Sequence, residues 1–414
     1  MGLGDKAKEV AIEHVKQKAA RDILNGIKEW RTNKIETARR RWIFELIQNA
    51  IDTAKARGKN SLKIEIVVED NSVKFKHNGG YFTLDEISAV IYGGSTKPYA
   101  PESEYIGRFG TGFLVTHLVN RKVKIEGFVC DDNNQIYEFE LQINRQSEDE
   151  NELSKNIERC LQQLNNARTV DNFSELYTTY TYYIEDELSQ SAVYKGIDEL
   201  KRNIPFVLAF NNIISEIRIN DEIFKIENIQ RIEDSIFKYE IKNKVIYVKT
   251  NEGYNIQIAI LIDENNKQSN LKDYPKVFIG MPLTETADYI NIPFSMNSVE
   301  FDSTKERDAL SSSEINRELL ECTFEEYKTL IQKILGTEEN LKGLYNAVFI
   351  KLIPEDYTEQ NPLGRHFNEL LINKFQMILT EIPIVKTRGG DIKPLNQITF
   401  PVERSRAVTS LTSG

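Results

Sequence analysis

Residues 34–57 predict one long helix whose two sides differ sharply in polarity. At roughly 100° per residue, Glu45, Asn49 and Asp52 fall within a stripe about 60° wide. The opposite side is apolar and consists of Ile43, Leu46, Ile47, Ala50, Ile51 and Ala54. Such a pattern requires a core on the apolar side. The polar stripe is either a solvated helix surface or the wall of a site, and the pattern alone leaves both interpretations open.

The residue types in the stripe suit chemistry on a phosphate. Mg²⁺ prefers oxygen ligands and combines one or two protein groups with phosphate oxygens. Asn49 would supply such an oxygen, and Glu45, one turn away, would polarise an attacking water as general base. In contrast, Arg39, Arg40 and Arg41 just before the stripe are interpreted as a solvated stretch of the helix.

A glycine-rich segment precedes a short apolar stretch at 113–119. Its residues are Gly107, Arg108, Phe109, Gly110, Thr111, Gly112 and Phe113. Closely spaced glycines let backbone N–H groups approach an anion, so the segment has the form of a phosphate cradle. It lacks the Gly-Lys-Ser/Thr of a Walker loop and the upstream strand of a dinucleotide-binding turn. A glycine turn ahead of a helix is the alternative.

Another glycine-bearing segment, the first along the chain, lies between a predicted strand at 72–76 and a predicted helix at 84–91. It runs from His77, Asn78 and Gly79 to Thr83. A glycine here would let a flat base lie against the backbone, and Thr83 would offer a hydroxyl. A simple turn between the two elements is the alternative.

The order of these segments resembles the GHKL (Bergerat-fold) ATPases, which include gyrase B, heat shock protein 90-type chaperones, histidine kinases and MutL. Residues 45–52, ELIQNAID, are similar to their motif E-x-x-x-N-A-x-D, and 107–113 to the chaperone form of the second glycine box. Within the superfamily the sequence looks most like sacsin-like and chaperone-type modules. The resemblance implies ATP and Mg²⁺ as ligands, with Glu45 catalytic and Asn49 bound to the metal.

The resemblance also implies the other site residues. The base end would be formed by Asp52, His77, Asn78, Gly79, Thr83 and Thr179. The phosphates would be held by Ser95, Lys97 and the segment Gly107 to Phe113. Lys305 and Arg307, from a second domain, would reach the γ-phosphate. His77 stands where the family usually has an aspartate that accepts from the adenine amino group; a neutral His77 or the Asn78 amide oxygen would accept there.

The predicted fold class is α+β. A two-layer α/β sandwich of the Bergerat type is expected over 1–189, a transducer-like α+β domain over 190–336, and a mostly helical segment over 337–414. Within the first domain, the polar stretch 145–166 is interpreted as a surface insertion. The chain ends without a helix-capping signal, which is expected of a fragment of a longer protein.

Composition narrows the function classes. With 53 basic and 63 acidic residues, the net charge of −10 disfavours nonspecific nucleic-acid binding. No apolar run is long enough to span a membrane. Three unpaired cysteines fit a cytoplasmic location. Two functions stay open: a chaperone-like ATPase acting on protein clients, and an ATP-gated regulatory module of a larger anti-phage defence protein. The expected partner is a second copy of the chain in a nucleotide-dependent dimer, or a downstream effector. The acidic balance argues against a MutL- or gyrase-like DNA-handling ATPase.

Overall fold

The computed structural model describes residues 2–94, 112–171, 175–263, 269, 271–290, 292–304, 308–337, 362–383 and 385–399. The chain is α+β. Its helices are α1 Leu3–Thr32, α2 Ile35–Ala56, α3 Leu84–Tyr92, α4 Gly112–Val115, α5 Glu150–Leu164, α6 Glu187–Phe210, α7 Thr286–Tyr289, α8 Glu314–Thr337 and α9 Pro362–Glu381. None of the helices in these ranges is long and apolar enough to cross a membrane.

Nine strands form the first sheet: β1 Leu62–Glu69, β2 Ser72–His77, β3 Phe82–Thr83, β4 Lys122–Cys130, β5 Ile136–Asn144, β6 Arg168–Thr169, β7 Thr178–Tyr183, β8 Ile214–Ile219 and β9 Glu222–Phe224. Their order is β6-β5-β4-β7-β2-β1-β8-β9, and β3 pairs with β4. Polar and charged side chains occupy much of one face, where Lys124 pairs with Glu126 and Glu140. The other face is covered by helices, so this part is the expected two-layer arrangement.

Helix α2 lies at the centre of the helix layer. Trp42 is fully buried, and its indole N–H donates to the Ala192 carbonyl of α6 at 2.8 Å. The Trp42 ring meets Tyr182 of β7 edge to face, with 6.4 Å between ring centroids. The apolar side of α2 is thereby fixed against both the sheet and α6, as the sequence pattern predicts.

Two regions of the first unit differ from the sequence expectations. The stretch 145–166 is not a surface insertion, because α5 packs on β5 and buries Leu153, Ile157 and Cys160. The first sheet also continues past residue 189, since α6 leads into β8 and β8 pairs in parallel with β1. The first structural unit therefore extends to the end of β9 at residue 224.

A second sheet follows, formed by β10 Asn228–Glu233, β11 Ile236–Ile241, β12 Lys244–Asn251, β13 Ile256–Ile262, β14 Val277–Ile279, β15 Met281–Pro282 and β16 Ser295–Asn297. Phe206 and Phe210 of α6 pack against Phe278 of β14, with ring centroids 5.7 and 5.2 Å apart. Helices α8 and α9 belong to the core on the other face of the second sheet. Helix α6 thus belongs to the packing of both sheets.

The C-terminal part is only partly described. Helix α9 agrees with the expected helical segment, and a two-stranded hairpin follows, with β17 Val385–Lys386 and β18 Ile392–Lys393. Residues 338–361 and 400–414 lie outside the described ranges.

Candidate functional site

The polar stripe of α2 is buried. Arg41, Glu45 and Asp52 keep only 5%, 7% and 4% of their residue surface exposed, and Asn49 is half-buried. A solvated helix face would leave these groups in water. Burying ionisable groups is costly unless they are paired or serve a site, so the surface interpretation of the stripe is wrong.

Arg41 holds the Glu45 carboxylate within the helix. Its Nε donates to Glu45 Oε1 at 3.0 Å, and a second guanidinium nitrogen, Nη2, contacts the same oxygen. The remaining nitrogen, Nη1, is buried and has no hydrogen-bond partner. The guanidinium also lies over the Trp30 ring at 5.7 Å. Arg41 therefore orients Glu45 and is not the solvated arginine that the sequence suggested.

Gly112, in the glycine segment at 107–113, lies against Glu45. A Cβ placed on Gly112 would lie 2.0 Å from Glu45 Oε2, far inside contact distance. With any larger residue at this position the Glu45 carboxylate would have to move. One carboxylate oxygen thus faces Arg41 and the other faces the start of α4. Phe113 follows, with its ring 6.0 Å from that of Tyr180 on β7.

The first glycine segment meets α2 one turn further along. A Cβ on Gly79 would lie 3.0 Å from the Ala50 carbonyl oxygen and 2.8 Å from His77 Nδ1. Gly112 and Gly79 therefore both contact α2, Gly112 at Glu45 of the polar stripe and Gly79 at the backbone of Ala50 on the apolar side. These two glycines lie 23 and 56 residues beyond the end of α2 along the chain.

His77 and Asn78 have structural partners that restrict their roles. Nδ1 of His77 accepts from the Gly79 N–H at 3.1 Å. The Asn78 amide oxygen accepts from the Lys63 N–H at 2.7 Å, and its amide nitrogen donates to Glu175 at 2.6 Å. Asn78 therefore joins the end of β2 to β1, and its amide oxygen already has a donor.

Asp52 and Asn49 occupy the far end of the stripe. Gln48 donates from its amide nitrogen to Asp52 Oδ1 at 2.9 Å, which fixes the carboxylate on the helix. The backbone carbonyl of Asn49 accepts from the Thr53 hydroxyl at 2.8 Å, so the Asn49 carboxamide is not held by this contact. No group of three His, Cys, Asp or Glu side chains able to hold a metal occurs among the described residues.

The two threonines expected at the base end differ in their surroundings. Thr83 caps α3: its hydroxyl accepts from the Glu86 N–H at 3.2 Å, and Glu86 accepts from the Thr83 N–H at 2.8 Å. Thr179 pairs with Lys76 and lies on the face of the sheet away from the helices, whereas Thr178 pairs with His77 on the helix side. Because side chains alternate along a strand, the threonine beside His77 is Thr178.

Several predicted residues lie outside the described ranges: Ser95, Lys97, Gly107, Arg108, Phe109, Gly110, Thr111, Lys305 and Arg307. The residues on either side of Lys305 and Arg307 are described. Thr304 donates from its hydroxyl to Asp308 at 2.6 Å, and Asp308 lies 3.9 Å from Lys34 at the start of α2. Glu285 accepts from the Thr37 hydroxyl at 2.9 Å. The second unit therefore contacts the same helix that carries the polar stripe.

A buried arginine joins the two chain ends that flank residues 95–111. Arg145 donates to the Val90 and Ile91 carbonyls near the end of α3, at 2.7 and 3.1 Å. It also donates to Nε2 of His117, just after α4, at 2.7 Å. Burial lowers the pKa of Arg145 to about 10. Arg145 thereby fixes the spacing between α3 and α4 on either side of the glycine segment.

Sequence reasoning missed Arg41, Arg145 and Thr178. A signal existed for Arg41, since it precedes Glu45 by four residues and therefore lies on the same helix face. Strand alternation through Tyr180 and Tyr182, both buried, would have favoured Thr178 over Thr179. No local signal marks Arg145, because its partners lie 28 to 55 residues away.

No family model matches the chain, and no curated protein matches it.

Two buried histidines make the fold sensitive to acid. Burial, with a contribution from Lys59, lowers the pKa of His77 to about 3, and burial with Arg145 lowers that of His117 well below its usual value. Both are neutral in the fold and become protonated on unfolding below pH 6.5. Their contribution to the free energy of unfolding is complete above pH 6.5. It declines as the pH falls towards the folded-state pKa, by about 1.4 kcal/mol per pH unit for each histidine.

We expect the free energy of unfolding of His77→Gln to fall less steeply than that of the wild type between pH 6.5 and 5, by about 1.4 kcal/mol per pH unit. Urea denaturation at several pH values measures this difference. His14→Gln, a change at an exposed residue of α1, is the control and should keep the wild-type slope. Equal slopes for His77→Gln and the wild type would contradict a buried, neutral His77.

Proposed function

We propose that this chain binds and hydrolyses a purine nucleoside triphosphate, with ATP as the ligand implied by its resemblance to the GHKL (Bergerat-fold) ATPases. The observation that carries the proposal is that Gly112 and Gly79 both lie against α2, with Gly112 directly on its buried polar stripe. Gly79 meets the backbone at Ala50, and Gly112 meets the carboxylate of Glu45. A phosphate-bearing ligand needs this combination of close backbone approach and fixed polar groups.

Each group has a defined task in this proposal. Glu45, oriented by Arg41, accepts the proton of a water that attacks the terminal phosphate. Asn49, half-buried and beside Gly79, supplies an oxygen to Mg²⁺, which when bound would offset phosphate charge. Asp52 lies one turn further, towards the base. The residues present fit this ligand, because the site offers a fixed carboxylate, an amide oxygen and two glycine surfaces.

Coupling to the second unit is part of the proposal. Helix α6 packs on α2 through Trp42 and on the second sheet through Phe278, so the nucleotide site and the second unit share one helix layer. The Thr37–Glu285 hydrogen bond connects the start of α2 to the second unit directly. Nucleotide binding at α2 would therefore alter the arrangement of the second unit, as a chaperone-like ATPase or a regulatory module requires.

Binding tests this function before any turnover is sought. Isothermal titration of the full chain with ATP, with and without Mg²⁺, should show binding that Mg²⁺ strengthens. In Asn49→Ala the strengthening by Mg²⁺ should disappear. The control Asn151→Ala changes an exposed asparagine in α5 and should behave as the wild type. Absence of binding under all conditions would refute the proposal.

A further inference from the structure

A small cavity lies where α5 packs on β5, away from the polar stripe of α2. Its volume is about 10 Å³, which is enough for one water molecule or one small ion. Isoleucine and leucine side chains from α1, α3, β5 and α5 form much of the wall. The polar residues that line the cavity are Asn144, Arg145, Asn156 and Cys160. A guanidinium thus borders a space that the protein does not fill.

Arg145 is a buried cation that has no acidic partner in the described part of the chain. Only 2% of the residue is exposed. Burial lowers its pKa to about 10, which is still well above neutral pH, so the guanidinium keeps its charge. Its hydrogen bonds go to the Val90 and Ile91 carbonyls and to His117, and all three acceptors are neutral. Burial of a charge without an opposite charge is costly.

The nearby groups that could become anionic are neutral as well. Cys160 and Tyr182 would favour the charged form of Arg145 if they ionised. Burial raises the pKa of both side chains, that of Cys160 to about 11, so neither ionises at neutral pH. The positive charge beside the cavity is therefore not offset by the described groups around it.

Unused N–H donors border the cavity. A guanidinium has five N–H donors, and the described acceptors of Arg145 leave the Nε–H and one Nη1–H without a partner. The Asn156 amide oxygen accepts from Arg159 Nη1 at 2.5 Å, whereas its amide nitrogen has no described acceptor. Neither Arg145 Nε nor Asn156 Nδ2 is fully enclosed by protein, so both border open space. Such a set of donors suits an anion.

We propose that this cavity binds a small monovalent inorganic anion of the size of chloride, held by Arg145 and Asn156. The ion accepts hydrogen bonds from both side chains and offsets the charge of the guanidinium. A water molecule would also accept these hydrogen bonds but would bring no charge. Because Arg145 joins α3 to the segment just after α4, the bound anion stabilises the spacing of these two helices. The proposal does not depend on the nucleotide-binding function.

Thermal unfolding of the full chain tests this proposal when sodium chloride replaces sodium gluconate stepwise at constant ionic strength. Gluconate is too large for the cavity and serves as the reference anion. An anion that binds the folded state alone stabilises it by mass action. The midpoint should therefore rise by about 2 °C for each tenfold increase in chloride above its dissociation constant.

Asn156→Asp is the sharpest variant, because it places a fixed negative charge at the cavity in a side chain of the same size. It should abolish the dependence of the midpoint on chloride and raise the midpoint in gluconate. Asn151→Asp is the matched control, since it makes the same change at an exposed position of α5. This control should keep the chloride dependence of the wild type.

Bromide locates the site directly in the wild type, because its anomalous scattering identifies it in a crystal. Bromide within hydrogen-bond distance of the Arg145 guanidinium supports the proposal. A crystal grown in bromide with no bromide at Arg145 overturns it. So does a midpoint that is the same in chloride and gluconate, or a chloride dependence that Asn156→Asp retains in full. The wild-type measurements need no variant, so a variant that does not fold leaves the test intact.

Discussion

Replacing Glu45 with glutamine is expected to lower ATP turnover by about 10²- to 10⁴-fold while leaving nucleotide binding largely intact. The change preserves size and keeps an oxygen that can accept from Arg41, but it removes the group that takes the proton from water. Arg41 donates to one carboxylate oxygen of Glu45, and the other oxygen faces Gly112. Phosphate release under saturating Mg-ATP measures the effect.

The control for this prediction is Glu318→Gln, which changes an exposed glutamate on α8 in the second unit. It should hydrolyse ATP at the wild-type rate. Thermal unfolding of both variants separates loss of chemistry from loss of fold, since Glu45 is buried and pairs with Arg41. Turnover by Glu45→Gln within about threefold of the wild type would remove Glu45 from the chemistry.

Replacing Gly196 with alanine is expected to destabilise the protein by about 3 kcal/mol. A Cβ at this position in α6 would lie 2.2 Å from Nε1 and 2.8 Å from Cε2 of Trp42. The Trp42 ring is fully buried and cannot move without losing its hydrogen bond to the Ala192 carbonyl. Because α6 also supports the second sheet, the loss should affect the cooperative unfolding of both units. Chemical denaturation measures it.

Gly336 provides a matched control for this substitution. It also lies within a helix, α8, but a Cβ there would meet nothing within 4 Å. Gly336→Ala should leave stability unchanged or raise it by up to about 1 kcal/mol, because alanine is the better helix former. Similar behaviour of the two alanine variants would show that α6 and α2 are not packed at Gly196 as described.

The central helix could be predicted from sequence because its signals are local. The apolar side of α2 repeats with the helical period, and Glu45, Asn49 and Asp52 share one face at the predicted spacing. The alternation of β4 and β5 likewise predicted their extent closely. The two glycine segments could also be recognised as places where the backbone approaches another group, because few residues other than glycine fit there.

The features that sequence reasoning missed depend on distant partners. The stretch that forms α5 contains few apolar residues. Its apolar residues Leu153, Ile157 and Cys160 nevertheless recur at helical spacing and are buried against β5. The parallel pairing of β8 with β1 joins residues 152 apart. The choice between Thr178 and Thr179 depends on register with β2, which a single strand does not reveal.

Hydrogen–deuterium exchange of the full chain, with and without a saturating non-hydrolysable ATP analogue and Mg²⁺, tests the central claim most directly. If the nucleotide lies between α2 and the glycine segments, exchange should slow at residues 77–80 and 112–115. Strands β10 to β12, at the far edge of the second sheet, should serve as the internal reference and show the smallest change. Unchanged exchange at 77–80 and 112–115, or protection confined to the second unit, would contradict a nucleotide site on α2.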